Sequence, residues 1–109
     1  MPIPRITKEE LKQRLDAGDA AAPVLVDARL KYPYEHSTVR LPGAIRMSPD
    51  AVDAATLPRD RDIVVHCRSG ARSARVAEWL HAQGFERVYN LAGGILAWID
   101  TVDPSQRKY

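Results

Sequence analysis

The sequence predicts an α/β fold, a parallel β-sheet flanked by helices on both faces. Three observations carry this expectation. Stretches of strand and helix character alternate along the chain. Two of the strand stretches, Val24-Leu25-Val26 and Ile63-Val64-Val65, are continuous apolar runs, as in strands covered on both faces. The length of 109 residues suits one hydrophobic core and is too short for two.

Each element has a local reason. Thr7 and Glu10 form a capping box that starts a helix over residues 8–17, with Leu11 and Leu15 on one face and Gly18 as its stop. Residues 23–28 read as a buried strand. The stretch 29–40 is polar, contains Pro33 and reads as a long loop. Pro42-Gly43 then turns the chain into a short strand over 44–47, and Ser48 or Asp50 caps a short helix ending at residue 55. Residues 62–66 are the third apolar strand. A helix follows over 71–83, with Ala74, Ala77 and Leu80 along one side and Gly84 at its end. Residues 87–91 are a further strand, and Gly93-Gly94 opens a last helix over 95–101, before Pro104. The chain is expected to be a single domain over 1–109, with its core at about 5–101 and a polar tail at 102–109.

Composition narrows the function. Hydrophobic residues make up 45% and charged residues 28%, as in an ordinary soluble domain. Sixteen Lys plus Arg against fourteen Asp plus Glu leave a net charge of +2, too little to imply nucleic acid as a partner. No apolar run approaches the ~20 residues of a membrane span, so no membrane partner is expected. The start, Met1-Pro2-Ile3-Pro4-Arg5, lacks the apolar stretch of a secretory signal. A single cysteine allows no internal disulfide, and the expected compartment is cytoplasmic. One cysteine and three scattered histidines offer no metal-ligand cluster, so neither metal nor other cofactor is expected.

The chemistry concentrates in Val64-Val65-His66-Cys67-Arg68-Ser69-Gly70-Ala71-Arg72-Ser73. Cys67 directly follows an apolar strand, and sites on parallel sheets lie at the carboxyl ends of strands. Asp27 and Arg29 lie at the end of another such strand. A free thiol is only a few per cent ionised at neutral pH, and helix N-termini and arginines raise that fraction. Gly70 to Ser73 should form the first turn of the following helix, so that backbone N–H groups from Arg68 to Arg72 curl around the sulfur. The Arg72 guanidinium is placed to bind a leaving anion, and the Ser69 and Ser73 hydroxyls to add hydrogen bonds. An isolated cysteine is more often a small buried hydrophobe, but the strand end, the glycine and the arginines point to a nucleophile. A cation in the first turn opposes the helix dipole, which makes sense if an anion sits there. His66 should point away from Cys67, because adjacent strand residues face opposite sides. Arg75 is expected to pair with Glu78 at the surface.

The run Cys67 to Ser73, CRSGARS, resembles the active-site loop of the rhodanese, or sulfurtransferase, family. Asp27-Ala28-Arg29 is similar to the family's Asp-x-Arg. Pro42-Gly43-Ala44 resembles its Pro-Gly-Ala turn, and Leu91 to Trp98 its Gly-Gly-x-x-x-Trp signature. The resemblance runs from about Thr7 to Asp100. It implies a five-stranded parallel sheet and transfer of sulfane sulfur through a persulfide on Cys67. The donor would be a small anion such as thiosulfate, or a persulfide. The acceptor would be cyanide, a thiol or a protein sulfur acceptor. Arg68, Ser69, Gly70, Ala71, Arg72 and Ser73 would bind substrate, with Asp27 and Arg29 in support. Arg29 is expected to pair with Asp27 or Glu35, and Trp79 and Trp98 to serve packing.

Alternatives stand beside this. Four residues separate Cys67 from Arg72. The related cysteine phosphatases have a longer loop, which disfavours a phosphate ester as substrate. A sulfur-relay module for a protein partner and a noncatalytic interaction domain are the other readings. The chain departs from the family pattern in two places. Val39-Arg40-Leu41 stands where Gly-His-Ile is usual, and Leu30 and Lys31 lengthen the segment after Arg29.

Overall fold

Five parallel strands form one sheet, as expected, in the order β1-β5-β4-β2-β3. The computed structural model describes residues 3–18, 22–29, 34, 41, 43–47, 54–68 and 70–102, the last four by backbone alone. Most of the loop 29–40, Pro42, the start of the short helix, Ser69 and residues 103–109 lie outside the described residues. In chain order the elements are β1 (Arg5–Ile6), α1 (Lys8–Asp16), β2 (Val24–Asp27), β3 (Ile45–Arg46), β4 (Ile63–His66), α2 (Ala71–Ala82), β5 (Val88–Leu91) and α3 (Gly94–Val102). A 3-10 turn over Ala54–Thr56 stands where the sequence predicts the end of a short helix.

The predicted helix signals act as expected. The Thr7 hydroxyl accepts from the Glu10 N–H at 3.1 Å while the Glu10 carboxylate accepts from the Thr7 N–H at 3.2 Å. Gly84, at φ +96°, closes the turn after α2. The element missing from the sequence reading is β1, a two-residue edge strand paired with Asn90 and Leu91 of β5.

Side-chain alternation divides the core in two. On one face Val26, Ile63, Val65, Cys67 and Val88 pack with Val76, Ala77 and Leu80 of α2. On the other, Leu25, Val64 and Leu91 pack with Leu11 of α1 and Ile95 and Trp98 of α3. The buried side of α2 is therefore Ser73, Val76, Ala77 and Leu80, one step round from the predicted stripe. Leu80 is wholly buried, so truncating such a residue to alanine removes ~2–5 kcal/mol. Trp98 packs in the core as expected, but Trp79 does not: it is 43% exposed.

The strand order locates the site. The connection from β2 runs outward to β3, and the connection from β4 runs the opposite way to β5. The loops leaving the carboxyl ends of β2 and β4 thus diverge, and a crevice opens where sheets of this kind bind ligands. Cys67 stands at that end of β4, and Ala28 continues β2 beside it, its N–H donating to the His66 carbonyl at 2.7 Å.

Candidate active site

The Cys67 sulfur is buried over the start of α2. The Gly70 N–H donates to Sγ at 3.1 Å and the Ser73 N–H at 3.4 Å. Of the amides expected to curl around the sulfur from Arg68 to Arg72, Gly70 makes this contact, and the Ser73 N–H, one residue beyond that range, makes the other. Ser69 lies outside the described residues.

Three devices hold the curl. Gly70 takes φ +111°, a left-handed conformation that side chains resist, and so reverses the chain just before α2. Its carbonyl accepts from the Ala74 N–H at 3.1 Å, the Ser73 hydroxyl at 3.2 Å and the Asn90 side-chain amide at 3.2 Å. The Ser73 hydroxyl also reaches the Asn90 side-chain oxygen. Ser73 therefore serves the sulfur through its N–H, and its hydroxyl braces the loop rather than the sulfur. The third device is α3. Its first free amides, of Ile95 and Leu96, donate to the Cys67 and Arg68 carbonyls at 2.8 and 3.1 Å. With the carbonyls turned toward α3, the loop presents its amides to the sulfur. Gly94 makes the approach possible, because a Cβ there would lie 2.6–2.7 Å from backbone atoms of Cys67 and Arg68.

Asn90 has no part in the sequence reading. The signal was available: an amide, poorly suited to strands, sits at the carboxyl end of an apolar strand beside the loop. A cleft of about 330 Å³ opens next to the loop, lined by Arg5, Gly70, Ala71, Ala74, Asn90 and Gly93. A larger cavity of about 630 Å³ lies among Pro23, Val24, Ile45 and Arg61, at the opposite end of the sheet from the thiol.

Arg68, Ala71 and Arg72 are exposed, and neither arginine makes an ion pair among the described residues. Asp27 and Arg29 form a buried pair, with Arg29 Nη2 at 2.7 Å and Nε at 3.0 Å from Asp27 Oδ2. The Arg29 N–H donates to the same carboxylate at 3.1 Å, and the Tyr34 ring lies 5.5 Å from its guanidinium. The carboxylate thus fixes the turn out of β2. The expected Arg75–Glu78 ion pair does not form; both side chains are exposed.

His66 is the register partner of Asp27 and faces away from Cys67. It is wholly buried, and neither ring nitrogen has a hydrogen-bond partner among the described residues. Burial, with Arg29 nearby, pushes its pKa down to about 4 against the pull of Asp27. At neutral pH it is an uncharged core side chain. No cluster of metal-ligating side chains occurs among the described residues, and no helix there is long and apolar enough to cross a membrane.

Comparison with known proteins agrees with this architecture. Residues 7–101 match the family described as Rhodanese-like domain. A sulfurtransferase of Allochromatium vinosum is 40% identical over 98 residues, covering 88% of each chain. A probable adenylyltransferase/sulfurtransferase of Mycobacterium tuberculosis is 34% identical over 95% of this chain, which spans 26% of that larger protein. The crystal structure of a rhodanese-like domain protein from Staphylococcus aureus superposes with a TM-score of 0.78 at 26% identity, covering 98% of this chain and 99% of that one.

Proposed function

The chain belongs to the rhodanese-like domain family, and from that premise we propose that it is a sulfurtransferase that carries sulfane sulfur as a persulfide on Cys67. The observation that carries the reading is the Cys67 sulfur seated over the start of α2 with the Gly70 and Ser73 amides aimed at it.

Those amides favour an anion on sulfur, and nothing else in the site is needed to remove the thiol proton. His66 faces the other side of the sheet and is not the base. The Cys67 thiolate attacks the outer sulfur of thiosulfate. The sulfur–sulfur bond breaks, and sulfite leaves with the electron pair. Arg72 and Arg68, exposed and without ion-pair partners among the described residues, bind the donor and the departing anion. The terminal sulfur of the persulfide then lies in the cradle of amides from Arg68 to Ser73, with Ser69 and Ala71 as further donors. In the second half, cyanide or a thiolate attacks that sulfur and Cys67 leaves as thiolate, which gives double-displacement kinetics. Asp27 and Arg29 support the site by holding the turn beside it. A nucleophile that must stay reduced suits the cytoplasm.

Incubation with thiosulfate should release sulfite and add the mass of one sulfur atom to Cys67. The variant Cys67→Ala should fold normally and lose both. Undiminished turnover by Cys67→Ala would refute the reading.

A further inference from the structure

The outer surface of α2 carries two exposed residues that the transfer chemistry does not use, Arg75 and Trp79. Arg72, Arg75 and Trp79 lie three and four residues apart, so they share one flank of the helix, and Arg68 precedes them at the thiol. All are exposed, Trp79 at 43%, and none of the three arginines pairs with a carboxylate among the described residues. The first turn of α2 contains no acidic residue. Glu78, three residues after Arg75, borders this flank but makes no ion pair with Arg75, and it also lines a groove with Ile3 and Arg5.

This arrangement is unfavourable for the isolated chain. Cations near a helix N-terminus oppose the dipole, and like charges three residues apart repel. An exposed indole one turn beyond such charges gains little from water. Each of these is relieved when an acidic surface covers the flank, because carboxylates pair with the guanidiniums and the indole is buried.

We infer that the Arg72–Arg75–Trp79 flank of α2, with Arg68 of the preceding loop, docks a protein partner whose thiol lies within an acidic surface segment and guides that thiol to Cys67. That the partner is a sulfur acceptor rests on the sulfurtransferase reading above. On docking, the partner thiolate attacks the outer sulfur of the Cys67 persulfide. The sulfur–sulfur bond breaks, Cys67 leaves as thiolate, and the partner holds the persulfide.

The test uses short synthetic peptides with one cysteine flanked by glutamates, or by glutamines at the same positions. Transfer from thiosulfate to the glutamate peptide should show kcat/KM about tenfold above the glutamine peptide at low salt, with the advantage shrinking as salt rises. The variants Arg75→Glu and Trp79→Ala should cut that advantage at least about fivefold and leave cyanide turnover unchanged. Fluorescence titration of the same peptides into Cys67→Ala reads docking without transfer. Binding there with the same charge preference supports the docking flank even if no persulfide forms. Equal transfer to both peptides, unaffected by either variant, overturns it while leaving the sulfurtransferase reading intact. Tighter binding of a single-stranded RNA oligonucleotide, with the same sensitivity to Arg75→Glu, also overturns it.

Discussion

Replacing His66 with leucine turns a buried imidazole, without a hydrogen-bond partner among the described residues, into a probe of the fold beneath the thiol. The unfolded chain binds a proton at His66 with the ordinary pKa of 6.5, whereas the folded chain does so only near pH 4. Between these values the unfolded state holds more protons, so wild-type stability is fully expressed above pH 6.5 and falls as the pH drops toward 4. At pH 5 the lost contribution amounts to about 2 kcal/mol relative to pH 8. Leucine has no proton to bind and nearly the same bulk. It also removes the penalty of two ring nitrogens without partners, about 1–3 kcal/mol for a buried group left unsatisfied. The variant should therefore be at least as stable as wild type at pH 8 and gain about 2 kcal/mol on it by pH 5. Urea unfolding measures this. With slopes of roughly 1–3 kcal/mol/M, the extra gain separates the midpoints by about 1 M. Asp27 and Arg29 are the charged groups beside His66 and are present in both proteins, so the difference isolates the imidazole. Midpoints that run parallel from pH 8 to pH 5, or a His66 NMR titration near 6.5, would refute the argument.

Three further outcomes follow from the same geometry. Gly94→Ala places a methyl carbon within 2.6–2.7 Å of loop backbone and adds a side chain at φ +62°. The loop must shift, and sulfur transfer should fall by about a hundredfold in steady-state assays; near-normal activity would show that α3 does not set the loop. Asn90→Leu removes two hydrogen bonds to the loop and should lower stability by about 1–3 kcal/mol. Persulfide formation should slow with it, as read by sulfite release, and an unchanged rate would remove Asn90 from the positioning of the loop. Arg29→Met strands the buried Asp27 carboxylate and should cost about 3–5 kcal/mol in thermal or urea unfolding. The double change with Asp27→Leu should recover much of that loss; no recovery would argue that the pair contributes more than mutual neutralisation.

Much of this protein is legible in the amino-acid order because the signals are local. The capping box at Thr7, the stop at Gly84 and the apolar runs of β2 and β4 each depend on residues a few positions apart. The proposed nucleophile is legible for the same reason: thiol, glycine and helix start are contiguous. The Arg29 partnership with Asp27 is local too, spanning two residues. β1 is not legible, since a two-residue edge strand has no periodicity to detect and exists only through its pairing with β5.

What the sequence by itself determined is the chemistry available: one thiol, the loop that curls around it and the parallel sheet that carries it. Only the tertiary structure decided how that chemistry is held. Asn90 lies 20 residues from Gly70, whose carbonyl it binds, and the amides of α3 reach back to the carbonyls of Cys67 and Arg68. The same packing decided that Trp79 faces solvent beside the arginines while Trp98 enters the core. The reason is physical. A helix or turn closes within a few residues, whereas the direction of a buried carbonyl or the exposure of one indole depends on elements distant in sequence that meet only after the sheet has assembled.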